Sequence, residues 1–426
     1  MPPSINFGDV PLQETTRKPK TTYRAKTYSF LTFLCSLALL VGMRPPDSLK
    51  GTDFPDFYCA GRMLADGHGH QLYDPELQRE YQARYAGRVG TLYIHPPFEA
   101  VLYAGLTWLP LKLAYVLWWF FNYAALAVAM RLLVKQTQLT WDWRVLVVAS
   151  LTFVPCLLCF LQGQDSMLLL LVVVLAFTAL RHGRDFACGC WLGLGLFKFE
   201  LVLPLTLVLV LTQSGSARRT IAKGFGLVAL SLAAVSAAVS GWSVFSIYPR
   251  FLLHLQAQLL AGIFPQAMAN FRGLSYLFFH RDGALWVVLT VAVCSALTLF
   301  GAVKNWKRAH LASCQNPAAQ NRDEFDLAFA DTVLFALLAS YHLNPHDLTL
   351  LLLPLFLLLG QFFAPTPRLR STESWMTVTL VAILFLPPLH LWTLRAGVYA
   401  LVGLPMLTLF LTVASRTRQI EAAPLL

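Results

Sequence analysis

Apolar runs recur along this chain from residue 28 to residue 414, and each closes on a short polar or basic stretch. A helix crossing about 30 Å of hydrocarbon needs roughly 17–25 mostly apolar residues. The runs near 28–43, 113–134, 144–161, 165–181, 220–240, 284–303, 327–341, 348–363, 375–393 and 397–414 approach or reach that length. The pattern predicts an all-α polytopic membrane protein with roughly ten to twelve transmembrane helices, two of them half-helices.

The interruptions between runs predict the topology. Lys18, Lys20, Arg24 and Lys26 precede the first run, and positive charge is retained on the cytoplasmic side. The expectation is a cytoplasmic tail over 1–27, one membrane domain over 28–414 and a second cytoplasmic tail over 415–426. Residues 1–27 read as the polar lead of a start anchor, with no small-x-small cleavage site after the first run. Residues 44–96 carry six Lys/Arg against seven Asp/Glu, the balance of an exported loop. Residues 97–110 are apolar but short, and Pro97 and Pro110 punctuate them. If this stretch crosses, Arg131 and Lys135 fall outside; if it lies in the interface or re-enters, the later basic loops stay inside. The charges favour the second arrangement. Arg184 and Arg218 are then both cytoplasmic, so 186–213 must leave and return. Twenty-eight residues are too few for two full crossings, which predicts two half-helices meeting near Lys198. Broken helices at membrane depth are tolerated only where they line a protein-enclosed cavity. A second external loop is expected over 241–283, and both termini inside.

Composition agrees with this class. Hydrophobic residues make up 57% of the chain, mean hydropathy is +0.57, and only 13% of residues are charged, where a soluble domain carries about a quarter. The net charge of +11 lies between apolar runs rather than on one soluble face, so a nucleic-acid partner is not expected. Most cysteines sit in or beside apolar runs as small hydrophobes. Cys156-x-x-Cys159 has redox spacing but no second pair or nearby histidine. Neither a metal nor a cofactor is expected.

This topology gathers uncommon polar groups at the outer ends of the helices: Asp53, Asp56, His95, Gln164, Asp165, Asn270, Arg272 and the turn from Tyr341 to Asp347 with His342 and His346. Each has a plainer alternative. Ionisable groups at helix ends serve as interface anchors. Asp53 is a favoured residue type to cap a helix over 56–66, Arg272 suits a lipid headgroup, and Lys198 can snorkel or pair with Glu200. Tyr58, Tyr73 and Tyr93 suit either a sugar or the membrane interface. The set together fits one chemistry. A sugar joined through phosphate to a lipid has a leaving group that departs as an anion and needs no general acid. Displacement then needs one carboxylate for the acceptor's proton and cationic or hydrogen-bonding groups for the phosphate. That is fewer parts than the two spaced carboxylates of glycoside hydrolysis.

The stretches DFPDFYCAGRMLADG, LYDP, HPPFEAVLYAGLTWLP, LQGQDSMLLLL, GCWLGLGLFKFELVLPL and HLNPHDLTLLLLPLF follow one another over roughly residues 50–360. In that order they resemble the landmarks of glycosyltransferase family 87. The resemblance implies a GT-C-type membrane fold and a polyprenyl-phosphate sugar donor, carrying mannose or a pentose such as arabinofuranose. It implies a glycolipid or glycan acceptor on the extracytoplasmic face of the cell membrane. It assigns Asp53 as the catalytic base, with Phe57 and Tyr58 as the family's aromatic pair; Asp56 stands where the pattern more often has an apolar residue. His342 and His346 become candidates for the phosphate or sugar, beside Asp56, Tyr58, His95, Gln164, Lys198 and Arg272 as substrate-binding groups. The GLFKFELVLP stretch is similar to the family's broken-helix element. A secondary transporter or lipid flippase with its site near Lys198 is the alternative, but no internal repeat of the transporter kind is evident. A scaffold for envelope assembly would not need the outward Asp/His/Arg set.

Overall fold

The computed structural model describes Leu49 and residues 51–137, 141–258, 263–283, 285–315, 320–362 and 372–421. The tail expected over 1–27 and the first span at 28–43 lie outside the described residues. Within them, all regular structure is helical. Five stretches are long and apolar enough to cross a membrane: Leu111–Gln136, Asp185–Thr212, Gly215–Ser240, Leu285–Leu311 and Pro345–Phe362. Two bent pairs raise the number to seven, Trp143–Thr152 with Val154–Gln162 at 77° and Trp375–Phe385 with Pro387–Arg395 at 52°. The described spans are therefore fewer than the ten to twelve expected. Ser166–Arg181 and Tyr399–Ala414 are shorter apolar helices, and the run at 327–341 belongs to Gln320–Ala339, whose first half carries three acidic residues.

The helices that carry the argument are α1 (Phe54–Ala65), α2 (Pro75–Tyr81), α3 (Pro97–Ala104), α4 (Leu111–Gln136), α5 (Trp143–Thr152), α6 (Val154–Gln162), α7 (Ser166–Arg181), α8 (Asp185–Leu194), α9 (Phe199–Thr212), α10 (Gly215–Ser240), α11 (Val244–Gln258), α12 (Phe271–Phe279), α13 (Leu285–Gln315) and α14 (Gln320–Ala339). α3 is eight residues long, about 12 Å at 1.5 Å per residue. It is too short to cross, in keeping with the interfacial or re-entrant expectation for 97–110.

Asp185–Thr212 has the length of a single crossing, but its neighbours show that it turns back. α7 begins beside Lys198, which pairs with Asp165, and ends at Arg181, which pairs with Asp326 at the start of α14. Thr212 lies beside His310, near the far end of α13. α13 and α14 are joined there, with Trp306 Nε1 donating to Thr332 Oγ1 at 2.7 Å. Arg181 and Thr212 thus share one end of the bundle, while Asp165 and Lys198 share the other. The chain climbs through α8, tightens into a 3-10 turn over Gly195–Lys198, and descends through α9. Lys198, at φ −117° and ψ 58°, is the backbone break. The two half-helices expected over 186–213 are present.

α10 then climbs beside α8 in the same direction. Gly224 on α10 packs on Phe186, and Gly193, a full seven residues up α8, packs on Val228. Small residues allow this backbone-to-backbone approach, the usual route to tight helix packing in lipid. A Cβ at Gly224 would sit 2.2 Å from the Phe186 carbonyl oxygen, whereas one at Gly226 would meet open space. Gly224→Val should therefore destabilise the protein by about 1–3 kcal/mol or more, read as a lower melting temperature in nanodiscs. Gly226→Val should leave that temperature nearly unchanged; equal losses in both would mean that the α8–α10 contact is not what the substitution disturbs.

Candidate active site

The site forms where the loop over α1–α3 covers the tips of the bundle. α6 ends in the turn Gln162-Gly163-Gln164-Asp165, and Gly163 takes φ +69°. Phe54 and Tyr115 pack so close that a Cβ there would lie 2.6 and 2.8 Å from them, so glycine is needed for space as well as for φ. The Gln164 carbonyl accepts from Trp118 Nε1 at 3.2 Å and Asn122 Nδ2 at 3.0 Å on α4. The tip is thereby fixed to its neighbouring helix.

Asp53 holds the residue position before α1, but its side chain makes no capping bond. Its backbone N–H donates to Gln162 O at 3.0 Å, and its Oδ2 accepts from Gln164 Nε2 at 2.7 Å. The carboxylate is turned from its own helix toward the α6–α7 tip. Burial raises its pKa above the ordinary aspartate value, opposed by the Gln164 hydrogen bond and by the charges of Lys198, Arg88 and His95.

Lys198, at the break between the half-helices, is 2% exposed. Its Nζ lies 3.3 Å from Asp165 Oδ1 and 3.1 Å from Asp347 Oδ1. Asp347 opens the 3-10 helix Pro345–Leu351 through a capping box with Asn344 and also accepts from Ser166 Oγ at 3.0 Å. His346 Nδ1 is 2.6 Å from Gln162 Oε1 and its Nε2 3.5 Å from Asp347. His342 Nε2 is 3.1 Å from Asn344 Nδ2. Burial lowers the pKa of His342 to about 4, so this imidazole is neutral near pH 7. Asp53, Gln164, Lys198, His346 and His342 therefore stand around one end of the bundle.

The other expected residues are placed differently. Asp56 is buried and held by three groups of its own loop, Gln82 Nε2 at 2.9 Å, Thr91 Oγ1 at 2.6 Å and the Arg88 guanidinium at 3.6 Å. Arg88 also donates to Thr52 O. Asp56 is thus the clasp of the 82–91 segment, and its pKa is pushed up to about 7 by burial. The phenols of Tyr58, Tyr73 and Tyr93 donate to the carbonyls of Leu109, His95 and Pro96 at 2.8, 2.8 and 2.9 Å. All three fasten the segment around α3. Arg272 is held by Asp282, with Nε 3.1 Å from Oδ1. It donates to Tyr341 O at 3.3 Å and lies 4.2 Å above the Tyr341 ring. It steadies the turn that leads to His342.

Four groups in the cluster, Glu99, Asp165, Asp347 and Arg88, are not among the site residues expected from the sequence. Glu99, about 1% exposed, lies 2.9 Å from His95 Nδ1, and burial pushes its pKa up to about 8. His95 packs on Phe57 at 4.8 Å between ring centroids, and burial holds it down to about 4. Asp347 stands in the HLNPHD turn beside the noted histidines. Arg88 has no local signal at all. The i,i+4 spacing of His95 and Glu99 is the sequence feature that points to their contact.

No curated protein and no solved structure matches the chain. The family model described as Glycosyltransferase family 87 matches residues 93–318, more than half of the 426 residues. The matched region includes His95, Glu99, Gln164, Asp165, Lys198 and Arg272; Asp53 precedes it, and the 342–347 turn follows it. Helices apolar enough to cross a membrane and this match over the bundle lead to one assignment: the chain is a membrane glycosyltransferase belonging to glycosyltransferase family 87.

Proposed function

We propose that this glycosyltransferase moves mannose or a pentose such as arabinofuranose from a polyprenyl-phosphate donor to a glycolipid or glycan acceptor at the extracytoplasmic face of the cell membrane. The observation that carries the reading is the setting of Asp53: a carboxylate at a helix start that caps nothing, is held by Gln164 at the α6–α7 tip and feels the charges of Lys198, Arg88 and His95. As the acceptor oxygen bonds to the anomeric carbon, Asp53 takes its proton. The bond from that carbon to the phosphate oxygen breaks, and the phosphate leaves with the electron pair. Attack opposite the leaving group inverts the anomeric configuration. Lys198 supplies a cation for the phosphate, and His346 and His342 supply ring nitrogens.

A groove of about 630 Å³ supports a lipid-linked donor. It opens between α9, α13 and α14 and is lined by Leu203, Pro204, Leu207, Ser295, Leu299 and Phe335, among others. It starts five residues below Lys198 along α9, so a chain lying in it would bring its phosphate to the break. Membership in an enzyme family removes the transporter alternative as the primary reading.

Asp53→Asn keeps size and a carbonyl for Gln164 but cannot take a proton. It should fold and lose about 10²–10⁴-fold in transfer from a polyprenyl-phosphate sugar, the usual cost of removing a general base. Asp56→Asn should lose far less and should mainly speed amide exchange over residues 82–91. An active Asp53→Asn beside an inactive, stably folded Asp56→Asn would reverse the assignment. The pH profile gives a second check. Only ionised Asp53 is a base, so kcat/KM should fall as pH drops through its raised pKa, with the acidic limb above the ordinary value of 3.8. Disappearance of that limb under otherwise slow chemistry in Asp53→Glu would count against the residue, since glutamate keeps a titrating carboxyl.

Sidedness is tested separately. In a background without reactive native thiols, Ala83→Cys in intact cells should react with an impermeant maleimide. Lys307→Cys, at the opposite end of the bundle, should react only after permeabilisation. The reverse result would put the site on the cytoplasmic face.

A further inference from the structure

Three side chains converge beside Asp53 and have no part in the transfer step above. His95 precedes α3, Glu99 lies in its first turn, and Asp165 precedes α7. One ligand atom from each lies within 4.8 Å of the others. Glu99 and Asp165 are each about 1% exposed. Buried carboxylates normally collect backbone N–H or hydroxyl donors. Among the described residues, no such donor reaches either oxygen of Glu99 or of Asp165. Asp165 has the Lys198 ammonium at 3.3 Å, but Lys198 is shared with Asp347 at 3.1 Å. Glu99 has only the His95 ring at 2.9 Å and the carboxyl of Asp165 opposite. Two buried carboxyls facing each other must share a proton or share a cation, because neither tolerates an uncompensated charge.

We propose that His95, Glu99 and Asp165 form a divalent-cation site beside Asp53, suited to a hard ion such as Mn²⁺ or Mg²⁺. Carboxylate oxygens with one imidazole nitrogen favour such ions over thiophilic ones. Three protein ligands leave coordination positions open, the arrangement of a catalytic rather than a closed structural metal site. The use of those positions rests on the transferase reading: an ion there would take charge from the departing phosphate while Lys198 takes the rest. The spacing of these ligands along the chain hides the site, because Asp165 comes from a different hairpin.

The test uses the full chain in nanodiscs, stripped with chelator and titrated with Mn²⁺ under electron paramagnetic resonance. The wild type should bind one equivalent and melt at a higher temperature with Mn²⁺ than without. Loss of an outer partner to a metal ligand weakens binding by about 10–100-fold, so Glu99→Gln and His95→Ala, which remove ligands themselves, should weaken it by at least tenfold. Glu76→Gln, at an exposed carboxylate of α2, should bind as the wild type does. Melting curves without metal identify any variant that fails to fold, and the wild-type titration needs no variant. Absence of stoichiometric Mn²⁺ binding in the wild type overturns the site, as does binding that survives both Glu99→Gln and His95→Ala. Stoichiometric binding without transfer from any polyprenyl-phosphate sugar supports the site and overturns the donor reading. Transfer at full rate in stripped protein overturns the ion's role in the reaction.

Discussion

The Lys198 ammonium is the interaction on which the site end of this protein depends. It is buried, and it joins three chain segments that are distant in sequence: the break between two half-helices, the α6–α7 tip through Asp165, and the 345–351 helix through Asp347. Removing one partner of a buried pair costs about 3–5 kcal/mol, because the other charge is stranded. The break at Lys198 leaves helix hydrogen bonds unmade, and such backbone is tolerated only inside protein. The lysine and the break therefore need each other. The break delivers a cation to the bundle's end, and the two carboxylates hold that end closed around it.

Charge arithmetic makes the half-helices legible in the sequence. Arg184 and Arg218 had to share a side, and 28 residues could not cross twice. The same reasoning kept 97–110 from crossing, and α3 is eight residues long. The helix count was less legible. Bends of 77° and 52° divide two apolar runs, and a bend leaves no mark in hydropathy. Asp331 inside Gln320–Ala339 shows the converse case: a buried acid with an amide partner, Asn305, allows a charged run to behave as a core helix.

Among the site residues, sequence position identified the neighbourhood but not the partner. Asp53 and Asp56 are three residues apart in one loop, and composition cannot separate them. The structure separates them by their donors. Asp56 spends its oxygens on Gln82, Thr91 and Arg88 within its own loop, whereas Asp53 meets Gln164 from another hairpin. The sequence alone does not reveal that Arg272 has a partner, because Asp282 lies ten residues on across a turn. Such pairings form only once the chain folds. The order of the motifs was informative for the same reason that single motifs were weak. Each polar group is common at a membrane surface, but the chain brings them to one end only in this succession.

Several acids and one buried lysine share that end, and the imbalance shapes what the site is able to do. Lys198 is already divided between Asp165 and Asp347, and Asp53 has a neutral amide as its nearest donor. A strong cation placed directly on Asp53 would lower its basicity and weaken it as a proton acceptor. Burial without a direct counter-ion does the reverse, raising its affinity for a proton. On the proposed reading, a donor phosphate would meet Lys198 and partly replace its carboxylate partners. The same three residues that fix the broken helix would thus set how tightly a negatively charged donor is held.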